Sequence, residues 1–450
     1  MIVLDFETKS EADLKKVGAD VYAWHPSTEI ICLCYKIDDG PIHDWTPGLP
    51  APTGLLDAVH AGWLLEAFNV GFERSIWSSI CNNRLNWPSV GNEQWRDLQA
   101  VAAYYSLPQA LDPLAKVLGG SGKDPEGTRL ITKYSKLYLK TAKRVIPPED
   151  LEAFVRYCRK DVQDEYDIGQ YLGELPEREL PVFLLDQLAN ARGLYLDEAG
   201  ILAAEKIVDA RAEELTAKFR KIVGCAPAQH AKVLAWVQAQ GVETDNLQAD
   251  TIEELLEGEL PTKAVRQALD IRMRISKAST KKLVAMLNQR SSDGRARFQT
   301  KYHGARTGRN TGQGIQPLNL NRGFKALSEW EDLKPEQLVS DIMRGDPEYL
   351  DMIYGDATDA VAKATRHWIT AAPGYKLVSG DYVSIEAVLL ACLAGEEWKI
   401  EAFRSGAKIY ERMAEKIYNL PEGTVTKKTH PLERQDGKTC LLYTSDAADE

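Results

Sequence analysis

The chain has 450 residues, 44% of them hydrophobic and 27% charged, a composition of ordinary globular protein with room for about two to four domains. No apolar run reaches the roughly 18 residues of a membrane span, and no basic-then-apolar leader opens the chain, so neither membrane contact nor secretion is expected. The net charge of −11 argues against a nucleic-acid partner unless the charge is segregated along the sequence.

Residues 1–175 alternate strand and helix signals. MIVLDF, EIICLCYKI and PIHDW read as strands, and TGLLDAVHAGWLLEAFN reads as a helix leading into another strand. WRDLQAVAAYYSL reads as a helix, as does PPEDLEAFVRYCRKDVQDEYDIGQYLGEL, which follows Pro147 and Pro148. The pattern predicts an α/β domain around a central sheet. Residues 176–290 carry helical periodicity with a break at Gly193, and residues 291–345 are irregular and rich in Gly, Asn and Arg. From residue 371 a turn, a strand, an acid and a helix follow. The seven cysteines show no zinc-site spacing, and Cys32 and Cys34 share one strand face. They read as buried thiols of a reducing, cytoplasmic protein.

Asp5 and Glu7 end the first strand. Residues two apart in a strand face one way, here about 7 Å apart. Two such carboxylates repel, and a hard divalent cation between them removes the repulsion. The pair alone reads equally as a solvated strand end. Asn69, Phe72 and Glu73 follow a short apolar strand, and Tyr157 and Asp161 lie four apart on a predicted helix. In order, spacing and context these segments resemble the DnaQ-like 3′–5′ exonucleases, whose pattern is D-x-E, then N-x-x-F-D/E, then Y-x-x-x-D. The resemblance covers residues 1–175 and implies an RNase H-like fold. It implies that Asp5, Glu7, Glu73 and Asp161 hold two Mg²⁺ or Mn²⁺ ions, and that Tyr157 orients the attacking water. Glu73 stands where many relatives have Asp. Asp164 is a nearby alternative to Asp161, although its spacing from Tyr157 is wrong for the pattern. GGSGKD at 119–124 is not a phosphate loop, because Val117 and Asp124 occupy positions that need Gly and Ser or Thr.

Between 271 and 309, Arg272, Arg274, Lys277, Lys281, Lys282, Arg290, Arg295, Arg297, Lys301, Arg306 and Arg309 outnumber one acid, Asp293, which suits a phosphate backbone. KYHGARTGRNTGQGIQPLNLNR adds Gln316 and Asn319 as donors, and DYVSIEAVLLACLAGE places Asp381 after an apolar strand and Glu386 at a helix start. These segments resemble family A (Pol I-like, phage-type) DNA polymerases. The resemblance implies that Arg306, Arg309, Gln316 and Asn319 grip primer–template DNA. Asp381 would then bind the catalytic Mg²⁺ ions, Tyr382 would shape the nucleotide pocket, and Glu386 would exclude a ribose 2′-OH. Relatives often carry Arg after this Glu, where Ala387 and Val388 stand here. FRSGAKIYERMAEKIYNLP resembles the fingers helix, and Arg434 and Lys438 match the R-x-x-x-K that grips the incoming dNTP.

The implied organisation is an exonuclease domain at 1–175, a mainly helical thumb and DNA-gripping segment at 176–370, and the start of palm and fingers at 371–439. The closing CLLYTSDAADE resembles an in-frame translation of a transposase-type sequencing adapter, so residues 440–450 are expected to be foreign to the natural protein. The second palm acid of the family pattern is absent. The expectation is therefore a DNA polymerase fragment with a proofreading exonuclease but without polymerase activity of its own, acting in the cytoplasm, or in the host's if phage-encoded. A stand-alone exonuclease on DNA or RNA and a non-catalytic DNA-binding scaffold are the competing readings.

Overall fold

A computed structural model describes residues 1–119, 125–275, 278–321, 334–382 and 384–446. Lys277, most of GGSGKD and the last four residues lie outside the described residues. The chain forms two compact units, Met1–Gly374 and Tyr375–Glu450.

The first unit opens with β1 (Ile2–Lys9), α1 (Leu14–Trp24), β2 (Glu29–Ile37), β3 (Ile42–Trp45), α2 (Thr53–His60), β4 (Leu65–Ala67), α3 (Gly71–Ile76), β5 (Trp95–Asp97) and α4 (Leu98–Tyr104). Then come α5 (Leu111–Val117), α6 (Pro125–Leu130) and α7 (Pro148–Leu172). The five strands form one mixed sheet in the order β3-β2-β1-β4-β5. β1 is antiparallel to β2 and parallel to β4, which is parallel to β5.

β1 is central and covered on both faces, which explains its unbroken apolar start. Ile2, Leu4 and Phe6 enter one core with Leu33, Tyr35, Trp45 and Trp77. Val3 faces the other way, into a core with Cys32, Cys34 and the α7 residues Phe154, Cys158 and Val162. Strand alternation puts Asp5 and Glu7 on this second side, toward α7. Burying each large apolar side chain there contributes roughly 1.5–3 kcal/mol, so the cores clamp β1 and α7 together around their polar residues. α7 begins with Pro148 and carries Glu149 and Asp150 in its first turn, where fixed φ and the helix dipole favour them.

The helix expected from Trp95 starts later. Asp97 accepts the Gln99 N–H at 2.9 Å as the cap of α4, and Trp95 and Arg96 extend beside β4 instead. The break at Gly193 lies between the helices Leu180–Arg192 and Glu198–Val223, where a short strand intervenes. Gly193 has φ 70°, and a Cβ there would stand 2.6 Å from the Ala296 carbonyl oxygen, so a side chain is excluded. The following strand, Leu194–Leu196, pairs with Arg295–Ala296 and Ile369–Thr370. The stretch read as irregular thus holds short strands, and it ends in the helix Pro335–Met343.

In the second unit the helices Ile385–Ala394, Glu397–Arg404, Ile409–Ile417 and Pro431–Asp446 surround a small core of Ala402, Ile409 and Leu441. The strand expected before Asp381 does not form. Residues 375–382 are irregular, and Val378 is 95% exposed. A lone strand leaves its backbone groups unpaired, and none of the described strands pairs with this segment.

A candidate divalent-metal site between the central strand and a long helix

Asp5, Glu7 and Asp161 each offer a carboxylate oxygen within 4.8 Å of the others. They come from β1 and from α7, 156 residues apart at the widest (161 − 5). Two local devices set their positions. A register shift between Glu7 and Thr8 in the β1–β2 ladder bends the strand just after the acids. The Cys158 thiol donates to the Asp5 carboxylate at 3.2 Å, tying α7 to β1 one turn before Asp161.

The electrostatics record the crowding. The Asp5 carboxyl is pushed up to about 8, chiefly by burial and then by the Asp161 charge. Glu73, buried in α3, is raised well above the usual carboxylate range by burial and next by Asp5. The Tyr157 hydroxyl is also held far above its ordinary value, by burial, by Asp161 and by Glu7. It hydrogen-bonds the Asp161 carboxylate, and its ring lies against Gly127 in α6, where a Cβ would stand 2.2 Å from it. Asp5, Glu7 and Asp161 fit a hard divalent cation, while Glu73 stands outside their 4.8 Å group. The donors are all oxygen, and Glu73 Oε2 is buried without a hydrogen-bond partner.

Asn69 and Phe72 flank the turn into α3. Asn69 is exposed in the left-handed region with φ 67°, and its N–H donates to Asp97 at 3.0 Å. Phe72 packs half-buried against Tyr22 with ring centres 6.0 Å apart. A cleft of about 310 Å³ opens here between Asn69, Phe72 and Glu73 on one side and Phe298 and Gln313 on the other. Asp164 stands outside the carboxylate group, half-buried with Lys160, Asp167 and Asp112 around it.

Two features escaped sequence reasoning. Glu165, only 3% exposed, lies one turn beyond Asp161 and interacts with Asp5, Glu73 and Asp161. Repeating the Tyr157–Asp161 spacing once more would have found it. Buried Asp97 was read only as part of a helix, yet its carboxylate holds both the Asn69 and Gln99 N–H groups.

The cationic band needs correction. Arg272 is buried and donates to the Pro227 carbonyl. Arg274 pairs with Asp356 at 2.7 Å, Arg290 with Glu198 at 3.1 Å, and Arg297 with Asp20 at 3.2 Å. Arg295 donates to the Gly193 carbonyl at 3.2 Å. Acids remote in sequence pair with three of these arginines, Arg274, Arg290 and Arg297, and backbone carbonyls accept from Arg272 and Arg295. Arg306 and Arg309 are exposed. Gln316 accepts from Asn319 at 3.1 Å, and Lys282 donates to the Asn319 carbonyl at 2.7 Å, which closes that turn on itself.

In the second unit Asp381 and Tyr382 are exposed on irregular chain, and Glu386 is exposed in the first turn of the helix Ile385–Ala394. Asp381 joins no group of three or more ligating side chains among the described residues. Arg434 donates to Glu411 at 2.8 Å and lies one turn before half-buried Lys438.

By comparison with known proteins, the chain belongs to the family A DNA polymerases. It is 31% identical to the DNA polymerase of Bacillus phage SP02 over 455 residues, which cover 98% of this chain and 68% of that one. A solved structure of the POL domain of Pol1 from M. smegmatis, in complex with DNA primer-template and dNTP, shares the fold with a TM-score of 0.52 at 14% identity. That likeness covers 98% of this chain and 66% of the other, so the chain spans about two thirds of each. No family model matches. Among the described residues no helix is long and apolar enough to cross a membrane.

Proposed function

We propose that residues 1–175 are the 3′–5′ proofreading exonuclease of a family A DNA polymerase, built on an RNase H-like sheet. The observation that carries the reading is the convergence of Asp5, Glu7 and Asp161 within 4.8 Å. Three carboxylates gathered at the edge of a core are costly unless cations occupy the site. The sheet order β3-β2-β1-β4-β5, with acids on the central strand and on a helix crossing it, supports the same reading.

Asp5, Glu7, Asp161 and Glu73 would hold two Mg²⁺ or Mn²⁺ ions, which when bound supply Lewis-acid activation of water and neutralise phosphate charge. The protein's own groups do the positioning. Tyr157, kept neutral by burial and its acidic neighbours, orients the attacking water. Asn69 and Phe72 guide a single-stranded 3′ end along the cleft. Water adds to the terminal phosphorus, the P–O3′ bond breaks, a nucleoside monophosphate leaves, and the shortened strand keeps its 3′-OH.

Residues 176–370 then form the thumb and DNA-gripping segment, with Arg306 and Arg309 offered to the primer–template. Residues 371–439 begin the palm and fingers, where Arg434 and Lys438 await dNTP. Asp381 is exposed on irregular chain and, among the described residues, joins no such acid group; templated synthesis is therefore not assigned to these residues alone. The working compartment is the cytoplasm, of the host if the gene is a phage's. The test is digestion of a 5′-labelled single-stranded oligonucleotide with Mg²⁺. Stepwise shortening is expected, abolished by EDTA and by Asp5→Asn with Glu7→Gln. Undiminished digestion by that double variant would refute the reading.

A further inference from the structure

We infer that Glu165 is a fifth acid of the ion site, which binds the second divalent cation together with Glu73. The inference rests on the exonuclease reading above and adds a ligand that its sequence pattern does not contain.

Three placements carry it. On α7, Tyr157, Asp161 and Glu165 succeed one another at intervals of four, so they share one helix face. β1 and β4 run parallel with Val3 opposite Glu66. Just past the end of β4, the Phe68 N–H donates to Glu165 Oε1 at 3.3 Å. Glu165 is therefore tied to the chain just after β4, where it interacts with Asp5, Glu73 and Asp161. Its other oxygen, Oε2, is buried without a hydrogen-bond partner, as is Glu73 Oε2, and the two residues are only 3% and 5% exposed. Neither forms an ion pair among the described residues.

A purely structural role does not account for the charge. Gln could accept the Phe68 N–H equally well and would add no negative group beside Asp5, Glu73 and Asp161. Two long acids with idle oxygens supply what a cation with oxygen preference needs and nothing else nearby provides.

Calorimetric titration of the full chain with Mn²⁺ tests this, using wild type, Glu165→Gln, Glu165→Asp and Asp5→Asn. Wild type should bind two ions in the pocket. Glu165→Gln should lose one or bind it at least tenfold more weakly, Glu165→Asp should fall between, and Glu165→Gln should melt no lower than wild type in EDTA because the Phe68 bond survives. Two undiminished sites in Glu165→Gln, with binding lost in Asp5→Asn, would overturn the inference and leave the exonuclease reading standing. Absence of Mn²⁺ binding by wild type would overturn both. If Glu165→Gln failed to fold, Glu165→Asp with wild-type affinity for both ions would still refute the role.

Discussion

Gly127→Ala isolates the part of the site that positions rather than binds. The added Cβ would meet Tyr157 Cε2 at 2.2 Å and Cδ2 at 2.3 Å. Ordinary carbon contacts lie at about 3.5–4.0 Å, so ring and helix must separate by at least about 1.3 Å. Alanine gains about 1 kcal/mol over glycine within a helix, while overpacking costs roughly 1–3 kcal/mol. The variant should therefore fold with little net loss. Catalysis is less tolerant, since a displacement of about 1 Å at a reacting group can cost on the order of a hundredfold. Single-turnover digestion of single-stranded DNA should slow by about 10- to 100-fold, while Mn²⁺ affinity stays near wild type because no carboxylate moves directly. Combining Gly127→Ala with Tyr157→Phe should add little to the slower single variant, as expected for coupled neighbours. A wild-type rate for Gly127→Ala, alongside a slow Tyr157→Phe, would show that the Tyr157 position does not matter as argued.

The remaining predictions concern charge. Because the folded Asp5 carboxyl lies near 8 rather than at its ordinary 3.8, the folded state binds the extra proton between those values, and the metal-free protein should lose stability as pH rises through that window. Melting in EDTA should show this fall from about pH 5 up to about pH 8 and level off above it, with the stabilisation by Mn²⁺ growing over the same range; a flat profile would contradict the burial of these acids. Arg96→Met would strand Glu66, which is 1% exposed and paired with Arg96 at 2.9 Å, and urea unfolding should register a loss of roughly 3–5 kcal/mol, reduced when Glu66→Gln is added. Arg306→Ala with Arg309→Ala should weaken primer–template binding and lower its log–log salt slope by about 2, measured by fluorescence anisotropy; an unchanged slope would remove these residues from the DNA interface.

What was readable in the sequence follows the range of the forces involved. Asp5 with Glu7 and Tyr157 with Asp161 are short-range spacings, fixed by strand and helix geometry, and the structure places them where that geometry requires. Glu165 continues the four-residue spacing of Tyr157 and Asp161, but its burial arises from packing between β4 and α7, which that spacing does not encode. The arginine stripe misled because its counter-charges, Asp20, Glu198 and Asp356, come from distant elements. The strand before Asp381 failed to form because strand propensity needs a hydrogen-bonding neighbour, and none of the described strands supplies one. The break at Gly193 was legible because a positive φ with a carbonyl at van der Waals range demands glycine.

The most direct measurement is anomalous diffraction from crystals soaked in Mn²⁺. The account predicts two peaks in the pocket between β1 and α7, each about 2.0–2.4 Å from carboxylate oxygens, one beside Asp5 and Asp161 and one beside Glu73. A fully exchanged crystal with no peak at these carboxylates would contradict it.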